Sequence, residues 1–194
     1  MSAGGRIVMV SSGVHDPDNK LARRAGVPAL RWVSAEAAAR PWDAAESARI
    51  DNPRQRYSNS KLANVLQARE LQRRLRTAQR GVDVFAYDPG LMVDTDFARS
   101  VARRLRAVLR WVGAAATPSV DNMGRSPESA DALARLVTGG ELAGTGFGYF
   151  DGGTQRPPSP DALDDDDAAE LWLDANPLVG LASDQPHLDH RPAQ

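Results

Sequence analysis

The sequence contains no cysteine, which excludes a disulfide framework and any thiolate metal site. It has no surplus of charge of either sign. Lysine and arginine number 24 against 25 aspartates and glutamates, a formal net charge of -1, so nothing points to nucleic acid as a partner. No apolar run approaches the roughly 18 residues that read as a membrane span. The opening MSAGGRIVMVSS has no cleavable signal pattern, and a cytoplasmic protein is expected. Lysine is scarce: Lys20 and Lys61 stand alone among many arginines. What remains is ordinary for a globular chain: 194 residues, 42% hydrophobic and 25% charged. That is enough for one domain with a sizeable core.

The patterning alternates. RIVMVSS (residues 6–12) is a nearly continuous apolar run and reads as a strand buried on both faces of a parallel sheet. Residues 15–56 hold no sustained period. A short helix is expected at 34–40, with Ser34 as its N-cap. Leu62, Val65, Leu66, Ala68 and Leu71 then recur at helical spacing, predicting a helix over 57–75. GVDVFAYDPG (81–90) is a second strand, stopped by Pro89-Gly90. Phe97, Val101, Leu105, Val108, Leu109 and Val112 mark a helix within 94–113. Ser126-Pro127-Glu128 starts another, and Gly139-Gly140 stops it. GFGYFDGG (146–153) is a third strand, and an acid-fronted helix follows Asp164–Asp167. The order argues for an α/β protein with a parallel sheet and crossover helices.

Tyr57 and Lys61 stand four residues apart, on one face of the predicted helix. An ammonium near a phenol favours the phenolate. Bringing a tyrosine from about 10 to about 7 requires roughly 4 kcal/mol. Such a tyrosine could serve as general acid and base on an alcohol or carbonyl oxygen. A surface tyrosine beside a surface lysine is the plainer alternative. Ser11-Ser12 ends the strand upstream and Pro89-Gly90 the strand downstream, and neighbouring carboxyl ends of parallel strands form the ligand crevice of such sheets.

RIVMVSSGVHD, YSNSKLANVL and VDVFAYDPGLMVDT, in that order, resemble the short-chain dehydrogenase/reductase family. The similarity is greatest to the branch of retinol dehydrogenases and light-dependent protochlorophyllide reductases, which ELWLDANPLVGL also resembles. The resemblance covers most of residues 6–181 and implies a partial Rossmann-like, doubly wound parallel sheet. It implies hydride transfer between a nicotinamide cofactor, NADP or NAD with the branch favouring NADP, and a small carbonyl or alcohol substrate. Ser12 would hold the substrate oxygen and Tyr57 would exchange its proton. Lys61 would lower the tyrosine's pKa and hydrogen-bond the nicotinamide ribose. Pro89 and Gly90 would border the nicotinamide ring, and Thr95 would meet the cofactor amide or phosphates. A homodimer paired through the tyrosine-bearing helix is common in the family.

The sequence also departs from the family. Complete members begin with a strand and a glycine-rich turn that holds the cofactor pyrophosphate. No such turn stands here, and Asn59 and Asn64 do not match the family's tetrad asparagine. The expectation is therefore a truncated catalytic domain over 1–182, resembling the C-terminal half to two-thirds of an enzyme, with a polar flexible tail over 183–194. Upstream sequence missing from this chain is the first explanation, and a short inactive relative the second. Residues 13–56 form an insertion expected over or beside the active site. Thr95 stands one position later than in the commonest form. The alternative function is a non-catalytic remnant acting through protein or membrane-surface contacts.

Other features carry plainer readings. Arg99, Arg103, Arg104, Arg106 and Arg110 stud the 94–113 helix, which could cover substrate, pack in the core or touch anionic membrane, and Trp111 could serve any of these. His187 and His190 lie in the tail, and no metal site is expected. Trp32, Trp42 and Trp172 are expected in packing.

Overall fold

The structure, a computed structural model, describes residues 4–24, 32–39, 53–90 and 126–181. It is a Rossmann-like α/β arrangement of four strands with helices on both faces. The elements are β1 (Gly5–Val10), α1 (Lys20–Arg24), α2 (Ala35–Ala39), α3 (Pro53–Thr77), β2 (Val82–Asp88), α4 (Ser126–Thr138), β3 (Gly148–Asp151), β4 (Thr154–Arg156) and α5 (Asp165–Leu178). The sheet order is β1-β2-β3-β4. β1, β2 and β3 are parallel, and β4 turns back antiparallel on β3.

All seven residues of β2 are buried, because it has a strand on each side and helices on each face. Val82, Val84 and Ala86 pack with Leu62, Val65 and Leu66 of α3 and with Ala168 and Leu171 of α5. Phe85 and Tyr87 point the other way, onto Ala132 and Leu136 of α4. α3 and α4 therefore lie on opposite faces of the sheet.

Two sequence expectations are corrected here. β1 is half-buried rather than enclosed, and Val10 at its end is 45% exposed. Among the described residues, β2 is its one paired neighbour. The third strand is a β3–β4 hairpin, so the sheet is mixed. Gly152 makes the turn at φ +57, a conformation that costs glycine little.

The helix ends follow their residue chemistry. Ser34 Oγ accepts from Ala37 N–H at 3.1 Å and caps α2. Asp164 accepts from Asp166 and Asp167 N–H at 2.9 Å and caps α5. α3 begins four residues before Tyr57, so that tyrosine stands in its second turn. Gln72 of α3 closes a gap in the ladder: it accepts from Val84 N–H at 2.7 Å and donates to Val82 C=O at 3.2 Å. Trp32 packs against the α3-side core. Trp172 lies under the Arg74 guanidinium, 4.8 Å from ring to charge. α2, in the 13–56 insertion, packs on α3 and α5. The expected 94–113 helix with its arginines and Trp111, the polar tail, Trp42, His187 and His190 lie outside the described residues.

Candidate functional site

The β1–β2 ladder carries the chain beyond Val10. Ser11 N–H donates to Tyr87 C=O at 2.7 Å, and the buried Ser11 hydroxyl donates to Lys61 C=O at 2.7 Å. Ser11 thus clamps the end of β1 to α3. Its neighbour Ser12 is freed from that duty, and its hydroxyl hydrogen-bonds the Tyr57 phenol. Lys61, one turn after Tyr57, sets its ammonium 5.4 Å from the centre of the tyrosine ring. Lys61 Nζ donates to Val10 C=O at 3.4 Å, and Asn64 Nδ2 donates to the same oxygen at 2.8 Å. Ser12, Tyr57 and Lys61 are therefore gathered at the carboxyl end of β1. Pro89 and Gly90 follow the carboxyl end of β2, the neighbouring strand. Thr95 lies outside the described residues.

The electrostatics differ from the expectation. The Tyr57 phenol is pushed above the ordinary tyrosine value, first by burial and further by the negative charge of Asp88. The Ser12 hydrogen bond works against that rise. Lys61 does not reverse it, because its ammonium faces the ring and the Val10 carbonyl. At neutral pH the pair holds a protonated phenol, which is the donor form of a general acid.

Behind the pair lies a buried polar layer that the sequence does not announce. Asp88, 1% exposed, accepts from Gly90 N–H at 2.8 Å. Gly90 has φ +74, so this turn suits glycine. Tyr149 OH stands 3.5 Å from the other Asp88 carboxyl oxygen. The His15 ring packs on Tyr149 with centroids 5.0 Å apart. His15 Nδ1–H donates to Ser12 C=O at 2.8 Å, and Nε2 accepts from Ser159 N–H at 3.1 Å. Those two bonds fix one neutral tautomer, and burial lowers the His15 pKa despite the Ser12 bond. The sequence signal for Asp88 was a charged residue closing a buried strand just before Pro89-Gly90. His15 offered none.

A depression of about 300 Å³ adjoins Pro89 and Gly90 on the α4 side. Arg135 and Arg156 line it, opposed by Glu128 and Asp151, and Ser12, Tyr57 and Lys61 do not. Among the described residues there is no cluster of metal-ligating side chains. Among them, too, no helix is long and apolar enough to cross a membrane.

The donor chemistry suits the nicotinamide-ribose end of a dinucleotide. Lys61 carries three N–H bonds, and Val10 C=O takes one at a long distance. The pyrophosphate end has no such counterpart. Among the described residues, five of the six positive-φ glycines, Gly4, Gly144, Gly146, Gly152 and Gly180, precede strands, turn the hairpin or follow a helix, and the sixth, Gly90, follows β2. None of the five opens a strand-to-helix turn of the phosphate-binding kind.

No family model matches the chain. Individual proteins do. Human retinol dehydrogenase 13 is 36% identical over 133 residues, covering 67% of this chain and 38% of that protein. The oxidoreductase calI of Penicillium decumbens is 29% identical over 149 residues, covering 69% of this chain and 41% of its own. A crystal structure of an uncharacterized protein from Mycobacterium paratuberculosis superposes with a TM-score of 0.52 at 25% identity, covering 93% of this chain and 52% of that one. The chain thus spans less than half the length of these two curated relatives. Fold and sequence together define a Rossmann-like α/β chain whose relatives are oxidoreductases. Its family relationship is to the short-chain dehydrogenases/reductases.

Proposed function

We propose that Ser12, Tyr57 and Lys61 form the proton-transfer site of an NAD(P)-dependent oxidoreductase that interconverts a carbonyl and an alcohol. The observation that carries this reading is the Ser12–Tyr57 hydroxyl contact beside the Lys61 ammonium, at the carboxyl end of a parallel strand. The reduced nicotinamide supplies a hydride to the carbonyl carbon when it is bound. In that direction Ser12 orients the carbonyl oxygen. Tyr57 gives its proton to that oxygen, so the C=O π bond is replaced by C–H and O–H bonds and NAD(P)⁺ is left. Lys61 holds the nicotinamide ribose and stabilises the phenolate that results. Pro89 and Gly90 would border the nicotinamide ring. NADP is favoured over NAD by the branch.

Fluorescence titration of the 194-residue chain with NADPH and NADH tests this, beside Lys61→Ala and Tyr57→Phe. Saturable binding weakened by Lys61→Ala, with reduction of a carbonyl panel abolished by Tyr57→Phe, is the expected result. No binding by the well-folded chain would leave this polypeptide without independent oxidoreductase activity. A second reading, a non-catalytic chain acting through surface contacts, is favoured by one observation: the half-buried β1 pairs with β2 alone among the described residues.

A further inference from the structure

We propose that His15 is a positioning residue for Ser12: its buried imidazole fixes the serine's main chain against the segment that leads into α5, so that the hydroxyl stays aimed at Tyr57. This deepens the oxidoreductase reading and rests on it for any effect on turnover.

Ser12 stands two residues beyond the end of β1, in extended backbone. Where its hydroxyl points is therefore set by what holds its peptide. The Ser12 carbonyl accepts twice from His15: from the main-chain N–H at 3.1 Å, which closes the Gly13–His15 turn, and from Nδ1–H at 2.8 Å. The other end of the ring is anchored too. Nε2 accepts from Ser159 N–H at 3.1 Å, and Ser159 Oγ donates to His15 C=O at 3.4 Å. That segment is itself bound to α3, because Arg69 Nη1 donates to Ala162 C=O at 3.0 Å.

Ser11 reaches α3 directly, through its hydroxyl on Lys61 C=O at 2.7 Å. Ser12 is thus tied from both sides to the helix that carries Tyr57: through Ser11 on one side, and through His15, Ser159 and Ala162 on the other. Ser11, His15 and Ser159 are all buried, where water is poorly placed to replace a lost bond. An apolar side chain could pack on Tyr149 as the imidazole does, at a smaller desolvation cost. The imidazole instead uses both nitrogens, each on a different segment.

Asparagine and glutamine separate the two ring bonds. His15→Asn sets an amide N–H where Nδ1–H stands and gives up Ser159. His15→Gln sets an amide oxygen where Nε2 stands and gives up the Ser12 carbonyl. Each loses one buried bond, so a merely structural staple would leave Tyr57 alike in both. The chain has three tyrosines, so ¹³Cζ-tyrosine labelling gives three signals, and Tyr57→Phe assigns one. At pH 7.5, Ser12→Ala supplies the shift of a phenol without its serine. His15→Gln is expected to move the Tyr57 signal to that position, and His15→Asn to leave it at the wild-type one. Equal Tyr57 positions in the two folded variants, or a signal that Ser12→Ala does not move, would overturn the proposal. Should either variant not fold, the wild-type chain decides. It has three histidines, and His187→Gln and His190→Gln assign the ¹⁵N signals of the third. The Nδ1–H tautomer is expected, and an Nε2–H tautomer would overturn the proposal.

None of these spectra requires a cofactor. Under the oxidoreductase reading, His15→Gln should also lower kcat for carbonyl reduction by about 10- to 100-fold, the scale of a small misplacement, with His15→Asn near wild type. Equal turnover in the two variants would overturn the proposal. The expected shifts together with absent NADPH binding would defeat the oxidoreductase reading while leaving the His15–Ser12 coupling intact.

Discussion

His15 donates from Nδ1 to the Ser12 carbonyl at 2.8 Å and accepts at Nε2 from the Ser159 amide. One imidazole thus ties Ser12, which faces Tyr57, to a segment 144 positions beyond His15 itself. Protonation would turn Nε2 into a donor facing another donor. Burial accordingly lowers the His15 pKa below its ordinary 6.5. The unfolded chain takes up this proton at higher pH than the folded one, so acid favours unfolding. The stability contribution is full above about 6.5 and declines as pH falls from there toward the folded pKa. Thermal melts at pH 7.5 and 5.5 should show the loss, and His15→Asn should remove that part of the slope. An identical pH slope in wild type and variant would count against it.

Ser12→Ala should raise the Tyr57 midpoint. The Ser12 hydrogen bond favours the phenolate, so its removal raises the phenol midpoint further. A ¹³Cζ-tyrosine NMR titration, with the Tyr57 signal assigned by Tyr57→Phe, reads it, and a fall in the midpoint would contradict the assigned contact. Under the proposed function, Tyr57→Phe should lower carbonyl turnover by about 10²- to 10⁴-fold, the usual contribution of a positioned acid.

Gln72 satisfies two β2 backbone groups that lie ahead of the β3 pairing, which begins at Phe85. Gln72→Leu keeps the bulk and strands a buried N–H and C=O. The expected cost is about 2–4 kcal/mol, taking each unsatisfied group at about 1–2 kcal/mol. Urea unfolding measures it, and Gln72→Glu should cost less for Val84 N–H but not for Val82 C=O. A midpoint unmoved by Gln72→Leu would show that water or a shifted strand replaces the amide.

Glu70 is 2% exposed at its side chain and bridges Arg73 and Arg74 at 2.6 Å. Burial alone would raise its pKa, but the hydrogen bonds and charges of the two arginines outweigh that and hold it low. Its stabilisation is present above the ordinary carboxylate range and is lost as pH falls through the folded pKa. Glu70→Gln should destabilise the chain by about 1.5–3 kcal/mol. It should also flatten the acid limb of a pH–stability curve. An acid limb unchanged in the variant would assign that limb to other groups.

Much of the frame was legible because it is local. α3 announced itself through Leu62, Val65 and Leu66, β2 through Val82, Val84, Phe85, Ala86 and Tyr87 ahead of Pro89-Gly90, and α5 through its leading acids. β4 was not legible, because Thr154, Gln155 and Arg156 are three exposed polar residues held only by pairing with β3. The Tyr57–Lys61 spacing told correctly that the two share a helix face. It could not tell that the phenol would be buried when the chain folds, which pushes its pKa up. His15 and Tyr149 were unreadable for the same reason: their partners are supplied by topology.

The complete enclosure of β2 bears on the order in which the chain opens. A strand buried along all seven residues keeps the amides on its β3 side protected until that side of the sheet parts. Half-buried β1 and the three-residue β4 can fray long before that. Asp88, Pro89 and Gly90 are thus carried by the slowest-exchanging part of the sheet, and Ser12 by its loosest margin. Local opening would detach the serine from Tyr57 while the floor beneath the phenol stays in place. The hydroxyl pair is then the element of the site most readily disconnected by a small fluctuation.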